Sequence, residues 1–267
     1  MRWVRTLAYY GASVFKMLVG FKNWPAIVPF FLGNRANRQL RLRLRHPQVE
    51  LIVRSAMDIW SVKETFIDQF YTRFGVSVED GWTVMDIGAG IGDYSIHAAH
   101  GKPNVQVYAF EPYPGSFALL RENLALNKMD NVQSFQQAVW RTIGRLSLDI
   151  ASGEPLQISS HNPNTSVEGD QGLSVDAVSL ESALSKLNIT RLDLLKMDCE
   201  GAEYEILFNT PPEKLRIVER IIMEYHDLDV QQSHLVLVDF LGRQGYQVTC
   251  RENIVHADIG YLYAERG

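Results

Sequence analysis

A short glycine-rich segment constrains the fold of this 267-residue chain more than any other feature. The segment runs from Val84 to Tyr94 and contains the acid Asp86 and the glycines Gly88, Gly90 and Gly92. A short apolar run that ends in closely spaced glycines is typical of a buried parallel strand followed by a tight turn. Because glycine lets a ligand approach the backbone, and because the helix predicted from Tyr94 to His100 begins with unpaired N–H groups, the segment predicts a nucleotide-sized cleft.

The spacing of the glycines indicates which nucleotide the cleft would bind. Dinucleotide-binding proteins carry G-x-G-x-x-G, whereas this chain carries D-x-G-x-G-x-G from Asp86 to Gly92. An acid at Asp86 would repel a pyrophosphate, but it suits the cationic aminoacyl end of S-adenosylmethionine. Two alternatives stay open, namely an oxidoreductase with a dinucleotide cofactor and a glycine-rich turn that binds no ligand.

A second acid supports the same choice. The run Val105–Phe110 predicts another strand, and Glu111 and Pro112 end it. An acid at the end of the second strand, about 20 residues after the glycines, can accept hydrogen bonds from both ribose hydroxyls. The alternative is that Glu111 is a solvated acid at a strand end.

A third segment, from Leu192 to Glu203, reads L-D-L-L-K-M-D-C-E-G-A-E and predicts a buried strand followed by a helix start. Together with Val178–Leu184 and the segments VMDIGAGIGDYS, AFEP and LALN, it resembles the FkbM-type methyltransferase family. The resemblance covers roughly Val84 to Tyr246. It implies S-adenosylmethionine-dependent O-methylation of a hydroxyl on a sugar, a polyketide, a lipid or a related secondary metabolite.

Strands and helices alternate through the rest of the chain, which predicts a parallel sheet with helical crossovers. With the resemblance, the expected fold is an α/β, Rossmann-like class I methyltransferase with a mostly parallel seven-stranded sheet and helices on both faces. The remaining predicted elements are the helices Ser55–Phe74 and Gln231–Gln244 and the strands Gln133–Val139, Gly144–Ile150, Ile217–Tyr225, Tyr246–Cys250 and Gly260–Ala264.

The resemblance and the strand ends together give a set of expected cofactor-binding residues. They are Asp86, Gly88, Ala89, Gly90, Gly92, Tyr94, Glu111, Pro112, Gln137, Ala138 and Asp198. One position departs from the usual pattern, because many methyltransferases place an acid near the end of the third strand to bind the adenine amine. Here Gln137 stands there, and its side-chain carbonyl is the expected substitute. Glu64 and Tyr71, on the helix before the first strand, are expected near the aminoacyl end of the cofactor.

Methyl transfer to an alcohol needs a group that removes the hydroxyl proton. Asp198 follows a central strand, Glu224 and His226 follow its neighbour, and open α/β sheets bind ligands at such ends. His226 or Asp198 is the first choice for the base, because a neutral histidine titrates in the useful range. Lys196 either pairs with an acid in the core or acts in catalysis. A divalent metal held by Asp198, Glu224 and His226 is a less favoured alternative.

The first fifth of the chain differs in composition from the rest. Residues 1–50 contain nine arginines and lysines against the single acid Glu50. An amphipathic helix is predicted between Arg2 and Phe21, with an apolar face formed by Val4, Leu7, Gly11, Val14, Phe15 and Leu18. Residues 1–32 could cover the substrate site, lie on an anionic membrane surface, or join copies into a homo-oligomer. Lys16 and Lys22 interrupt the apolar stretch, so a membrane-spanning helix is not expected.

After this helix, apolar and charged residues alternate strictly, as in a strand that is exposed on one side. This pattern predicts a β-hairpin with Leu40–Arg45 and Val49–Val53 as its strands. The expected division is therefore an N-terminal extension, 1–54, and a methyltransferase domain, 55–267. Ala151–Gly172 is rich in small and polar residues, and we expect it to cover the acceptor site as a loop.

Charge and cysteine content restrict the partners and the compartment. The net charge of −5 argues against nucleic-acid binding. Cys199 and Cys250 have no metal-like spacing and predict a reducing, cytoplasmic environment, with peripheral membrane association as an addition. The expected partner is a small hydroxylated acceptor. A non-catalytic binding module that works through the basic N-terminal segment is the alternative from another class.

Overall fold

The structure is a computed structural model that describes residues 2–32, 39–148, 160–161 and 173–267. Its strands are β1 (Leu40–Arg43), β2 (Glu50–Val53), β3 (Thr83–Ile87), β4 (Gln106–Phe110), β5 (Val132–Phe135), β6 (Ala138–Trp140), β7 (Gly144–Leu148), β8 (Ser160–His161), β9 (Leu173–Ser179), β10 (Leu194–Met197), β11 (Arg220–His226), β12 (Tyr246–Glu252) and β13 (Ile259–Arg266). Its α-helices are α1 (Arg2–Gly20), α2 (Val28–Phe31), α3 (Ala56–Val62), α4 (Phe70–Phe74), α5 (Asp93–Ala99), α6 (Pro114–Leu126), α7 (Leu180–Lys186), α8 (Glu203–Phe208), α9 (Pro212–Leu215) and α10 (His234–Arg243). A 3₁₀ helix spans Trp24–Ile27 and a π-helix spans Lys63–Asp68.

Seven strands form the central sheet in the order β12-β13-β11-β10-β3-β4-β5. The five strands from β11 to β5 run parallel, and β13 is antiparallel to both of its neighbours. The predicted mostly parallel, seven-stranded sheet is therefore confirmed. Because parallel strands end at one edge, the loops after β3, β4 and β10 meet there.

The two faces of this sheet are covered by two separate apolar cores. Along β3 and β10, Val84 and Leu194 face the first core, whereas Met85 and Leu195 face the second. Helices α3 to α6 pack on the first face, and α7, α8 and α10 pack on the second. Strands buried on both faces read as continuous apolar runs, which is the pattern the sequence shows.

A second sheet of four strands, in the order β6-β9-β7-β8, stands beside the first. The single strand predicted at Gln133–Val139 is wrong, because β5 ends at Phe135 and β6 then pairs in parallel with β9. The strand predicted from Gly144 is β7, which pairs antiparallel with β9. The loop predicted at Ala151–Gly172 lies outside the described residues except for β8.

The helix predicted at Ser55–Phe74 is interrupted. It begins with a capping box, in which Ser55 and Asp58 exchange side-chain and backbone hydrogen bonds. It then widens into the π-helix and breaks at Gln69, whose φ is +54°. Within the π-helix, Lys63 and Asp68 form a fully buried ion pair of 2.5 Å. Such single-turn π segments are frequent at functional sites.

The N-terminal amphipathic helix is present as α1, but its apolar face points outward. Leu7, Val14 and Phe15 are 51–66% exposed, whereas Ser13 is buried. On the packed side, Lys16 pairs with Asp68 at 2.6 Å. An apolar stripe ordinarily faces the core, and α1 departs from this because its docking surface is itself charged. Within the described residues, no helix is long and apolar enough to cross a membrane.

The predicted β-hairpin is confirmed as β1 and β2, which pair antiparallel. Two asparagines, one in α6 and one at its C-terminal cap, bind the free edge of β2. Asn123 accepts from Ile52 N–H at 2.6 Å and donates to the carbonyl of Ile91, in the glycine-rich turn, at 2.9 Å. Asn127 bonds both the N–H and the carbonyl of Glu50. The edge is thus capped by side chains, which connects the hairpin to the glycine-rich turn.

Candidate functional site

A cavity of about 210 Å³ opens where β3, β4 and β10 end. The predicted residues that line it are Gly88, Ala89, Gly90, Tyr94, Glu111, Pro112, Ala138, Lys196, Asp198 and Glu224. Asp86, Gly92, Gln137 and His226 do not belong to its described lining. The sequence therefore predicts where the cavity lies, and the structure separates the residues that border it from those that support it.

The three glycines after β3 serve two different purposes. At Gly88 (φ +74°) an added Cβ would lie 1.8 Å from the carbonyl oxygen of Asp198, and at Gly92 (φ +87°) it would lie 2.4 Å from Leu120. At Gly88 the backbone carbonyl excludes a side chain, whereas at Gly92 the positive φ disfavours one and the side chain of Leu120 would have to move. At Gly90 (φ +54°) a Cβ would meet no atom within 4 Å. This open position lets a ligand approach the backbone.

Glu111, at the end of β4, is held against the glycine loop. Its carboxylate accepts hydrogen bonds of 2.8 Å from the N–H groups of Gly90 and Tyr113. Burial raises the pKa of Glu111 to about 7. A nearly buried carboxylate that borders a cavity and retains acceptor capacity fits a ligand with paired hydroxyls, such as a ribose.

Asp86 lies beneath the cavity and is fully buried. It accepts a hydrogen bond from Ser95 Oγ at 2.6 Å and pairs with Lys196 Nζ at 3.0 Å. Lys196 also donates to the carbonyl of Gly88 at 3.1 Å. The predicted direct contact of Asp86 with a cationic ligand is thus replaced by an internal ion pair that supports the glycine loop.

Lys196 is held in its charged form. Burial alone would lower its pKa, but the carboxylates of Asp86, Asp198 and Asp93 outweigh burial and raise the pKa well above its ordinary value. A protonated lysine cannot accept a proton. Of the two roles expected for Lys196, the structure therefore favours pairing with an acid in the core.

Asp198 follows β10 and reaches into the cavity with a side chain that is 33% exposed. The hydroxyl of Tyr71 donates a hydrogen bond of 2.8 Å to Asp198 Oδ2. Burial, followed by the charge of Asp198, raises the pKa of Tyr71 far above its usual value, so the phenol remains a donor. Asp198 is thus an accessible carboxylate with a fixed orientation.

Three further acids line the same end of the cavity, namely Glu64, Glu200 and Glu224. Burial raises the pKa of Glu64 and of Glu200 to about 7, and it raises that of Glu224 well above its usual value. Such a concentration of carboxyl groups suits a ligand that carries positive charge. Glu64 and Tyr71 lie where the sequence predicts them, and Glu200 is an addition whose signal is its place in the run Asp198–Glu203.

His226 lies between two acidic side chains and does not belong to the described lining of the cavity. Its ring nitrogens lie 3.4 Å from Glu200 and 3.4 Å from Glu203. Burial alone would lower its pKa, but Glu203 and Glu200 raise it to about 10. His226 is therefore protonated at neutral pH, so the structure does not favour it as a general base.

The group of possible metal ligands in the structure differs from the group expected from the sequence. Within the described residues, ligand atoms of Asp198, Glu200 and His226 lie within 4.8 Å of one another, and Glu224 is not part of this group. The group contains a histidine held as a cation, which is unfavourable for metal binding because a ligating imidazole must be neutral.

The remaining wall is apolar and could not be predicted from motifs. Trp140 of β6 and Leu146 and Leu148 of β7 contribute to it from the second sheet, opposite Met57 of α3. Phe110 joins them and stacks on Phe135 with ring centroids 4.8 Å apart. These rings and methyl groups offer a flat apolar surface beside Glu111, which fits a purine base next to a ribose.

The methyltransferase FkbM domain matches residues 86–248, more than half of the chain. The chain is 26% identical to 31-O-demethyl-FK506 methyltransferase FkbM of Streptomyces tacrolimicus over 73% of this chain and 84% of that protein. It is 26% identical to AMB antimetabolite synthetase AmbE of Pseudomonas aeruginosa over 72% of this chain, but it spans only 11% of that protein. A solved structure, methyltransferase FkbM from Methylobacillus flagellatus, is similar to this chain at 15% sequence identity and a TM-score of 0.46. The match covers 69% of this chain and 44% of that one.

Proposed function

The chain belongs to the FkbM family of S-adenosylmethionine-dependent methyltransferases, and from this membership we propose that it methylates a hydroxyl group of a small sugar, polyketide, lipid or related metabolite. The observation that carries the proposal is the cavity itself, which joins an open glycine position at Gly90 to the carboxylate of Glu111 and to a group of acids. The relative from Streptomyces tacrolimicus is named for O-methylation. A dinucleotide-dependent oxidoreductase and a non-catalytic binding module explain this combination less well.

The residues present fit S-adenosylmethionine from one end of the cavity to the other. Glu111 would accept the ribose hydroxyls, and Phe110 with Trp140 would flank the adenine. Tyr94, Asp198 and Glu224 would surround the cationic aminoacyl end, above the Lys196–Asp86 pair. Gln137 lies in the link between β5 and β6, and we assign it no contact with the adenine.

The cofactor supplies an activated methyl group, so the chain has to align the acceptor oxygen and take its proton. We assign the proton to Asp198, whose Oδ2 is fixed by Tyr71 and whose side chain is accessible from the cavity. Burial raises the pKa of Glu224 well above its usual value, and the carboxylates beside His226 raise its pKa to about 10 despite its burial. Both groups therefore favour the form that already carries a proton. Loss of the acceptor proton to Asp198 would accompany attack by the oxygen.

Calorimetric titration of Glu111→Gln tests the cofactor site. The variant is expected to bind S-adenosylmethionine and S-adenosylhomocysteine about tenfold to a hundredfold more weakly than the wild type, because hydrogen bonds to a charged group contribute about 1.5–3 kcal/mol. The matched control is Glu122→Gln, an exposed acid on α6, which should bind like the wild type. NAD should not bind. The proposed function would be refuted if the wild type bound NAD. It would also be refuted if the wild type bound neither S-adenosylmethionine nor S-adenosylhomocysteine.

We propose that the reaction needs no divalent metal. His226 lies 3.4 Å from both Glu200 and Glu203, which stabilise its protonated form, so a metal ion would have to displace that proton in order to bind the ring. Dialysis against EDTA is expected to leave the methyl-transfer rate unchanged. A rate lost to EDTA and restored by Mg²⁺ or Mn²⁺ would contradict this and assign an ion to the Asp198–Glu200–His226 group.

We further propose that residues 1–54 form an extension of the methyltransferase domain, 55–267, and that the protein works in the cytoplasm at a membrane surface. The exposed Leu7 and Phe15 of α1 support contact with lipid rather than with a second copy, since the charged residues in the sequence of this helix are all basic. The protein should sediment with anionic vesicles at low salt, and Phe15→Asp should reduce this. Failure of the wild type to sediment, or a stable dimer in solution, would favour self-association.

A further inference from the structure

A second cavity, of about 570 Å³, lies between α1, the turn that follows it and α3. We call it the N-terminal groove. Its apolar side chains include Tyr10, Val14, Leu18, Val28, Phe31 and Trp60. Several of them are exposed, and an exposed apolar concavity of this size is typical of a ligand site.

The N-terminal groove adjoins the catalytic cavity. Met57, Trp60 and Glu64 line both, so the two cavities meet at these side chains. Two hydrogen bonds fix Glu64 at this border, because Tyr9 donates to its Oε1 at 3.1 Å and Trp60 Nε1 donates to the same oxygen at 2.8 Å. The orientation of α1 described above, polar side inward, is what leaves its apolar side to form the groove wall.

The chemistry of the wall selects the kind of occupant. Among the described residues that line the groove, the ionisable or amide side chains are Tyr9, Tyr10, Glu64, Asn253 and His256, and the rest are apolar or aromatic. A protein segment would bring backbone N–H and C=O groups that need partners. An aliphatic chain brings none, and its burial against such a surface is favourable by roughly 25 cal/mol per Å².

We propose that the N-terminal groove binds the aliphatic chain of an amphiphilic acceptor, whose hydroxyl-bearing head extends past Met57 and Trp60 into the catalytic cavity. The inference rests on the proposed methyl transfer and narrows its acceptor to a lipid-linked or long-chain molecule. The acidic end of the catalytic cavity would receive the polar head, and the groove would set its position through the chain. Val14 and Phe31 then contribute to acceptor specificity without contacting the cofactor.

Two valines of α1 provide a matched pair of variants. Val14 and Val19 are 54% and 55% exposed, but only Val14 lines the N-terminal groove. The probe is cis-parinaric acid, a fluorescent long-chain fatty acid, titrated into the full chain and displaced with lauric acid. Wild type and Val19→Asp are expected to bind it saturably with similar affinity, and Val14→Asp is expected to bind at least tenfold more weakly.

The inference is overturned if the wild type shows no saturable binding, or if Val14→Asp and Val19→Asp weaken binding equally, because the probe would then adhere to the whole apolar face of α1. Equal loss of vesicle sedimentation in both variants, without probe binding, would assign the face to the membrane alone. Calorimetry with S-adenosylmethionine on the same samples separates the two proposals. Cofactor binding without probe binding refutes the groove occupant, and probe binding without cofactor binding refutes the methyltransferase function.

Discussion

Asp198→Asn is expected to lower kcat by about 10²–10⁴-fold, the range typical of a lost general base. The substitution preserves the shape of the side chain and can still accept the hydrogen bond from Tyr71, but an amide cannot take the proton of the acceptor hydroxyl. Asp198 is singled out because it combines access from the cavity with a fixed orientation. Single-turnover methyl transfer from labelled S-adenosylmethionine measures the effect.

The matched control is Tyr71→Phe, which removes the 2.8 Å hydrogen bond and keeps the carboxylate. It should reduce kcat less than Asp198→Asn does, because the carboxylate remains in the cavity and loses only the donor that fixes its orientation. If Asp198→Asn retains full kcat and loses only cofactor affinity, Asp198 belongs to the cofactor site alone. A rate that then depends on a group with a pKa near 7 would assign the role to Glu64 or Glu200, which both line the cavity, and Glu64→Gln and Glu200→Gln would separate the two.

Lys196→Met is expected to destabilise the protein by about 3–5 kcal/mol, the usual effect of removing one partner from a buried ion pair. The ammonium of Lys196 lies 3.0 Å from the fully buried Asp86, and both side chains are at most 4% exposed. Without it, the hydroxyl of Ser95 is the hydrogen-bond donor that remains to the Asp86 carboxylate within the described residues. The midpoint and slope of urea unfolding give the free energy of unfolding for comparison with the wild type.

Arg243→Met provides the contrast for this measurement. Arg243 pairs with Asp239 at 2.8 Å on the surface of α10, where the two side chains are 75% and 58% exposed. Exposed pairs of this kind contribute about 0–1 kcal/mol, so the variant should unfold almost like the wild type. A Lys196→Met protein as stable as Arg243→Met would mean that Asp86 becomes protonated or hydrated at little cost, and the support assigned to the pair would be wrong.

The glycine loop and Glu111 could be predicted from the sequence because each directly follows a strand end. In a parallel sheet, such positions collect at one edge whatever the details of packing. The mostly parallel direction of the central strands followed from the alternation of strands and helices, whereas their order was not predicted from the sequence. The cavity could therefore be located before any contact was known, although the depth of Asp86 beneath it depends on Lys196, which is 110 residues away in sequence.

Three features could not be predicted because they depend on distant partners. The helical period of α1 defines an apolar and a polar face, but it does not say which face packs against the protein. That depends on Glu64 and Asp68, which bond Tyr9 and Lys16 of α1 over 55 and 52 residues of sequence. The break between β5 and β6 depends on pairing with β9. The charge of His226 depends on Glu203, which belongs to the helix α8.

The contact between Gly88 and the carbonyl of Asp198 has a consequence for altering the enzyme's acceptor range. With only 1.8 Å between that oxygen and the place where a Cβ would stand, the two loops are in direct contact, and a change that widens one is expected to displace the other. Redesign of the loop after β10 would therefore disturb cofactor affinity as well. Met57 and Leu146, which belong to the cavity wall but not to the central sheet, are better starting points for a library of variants.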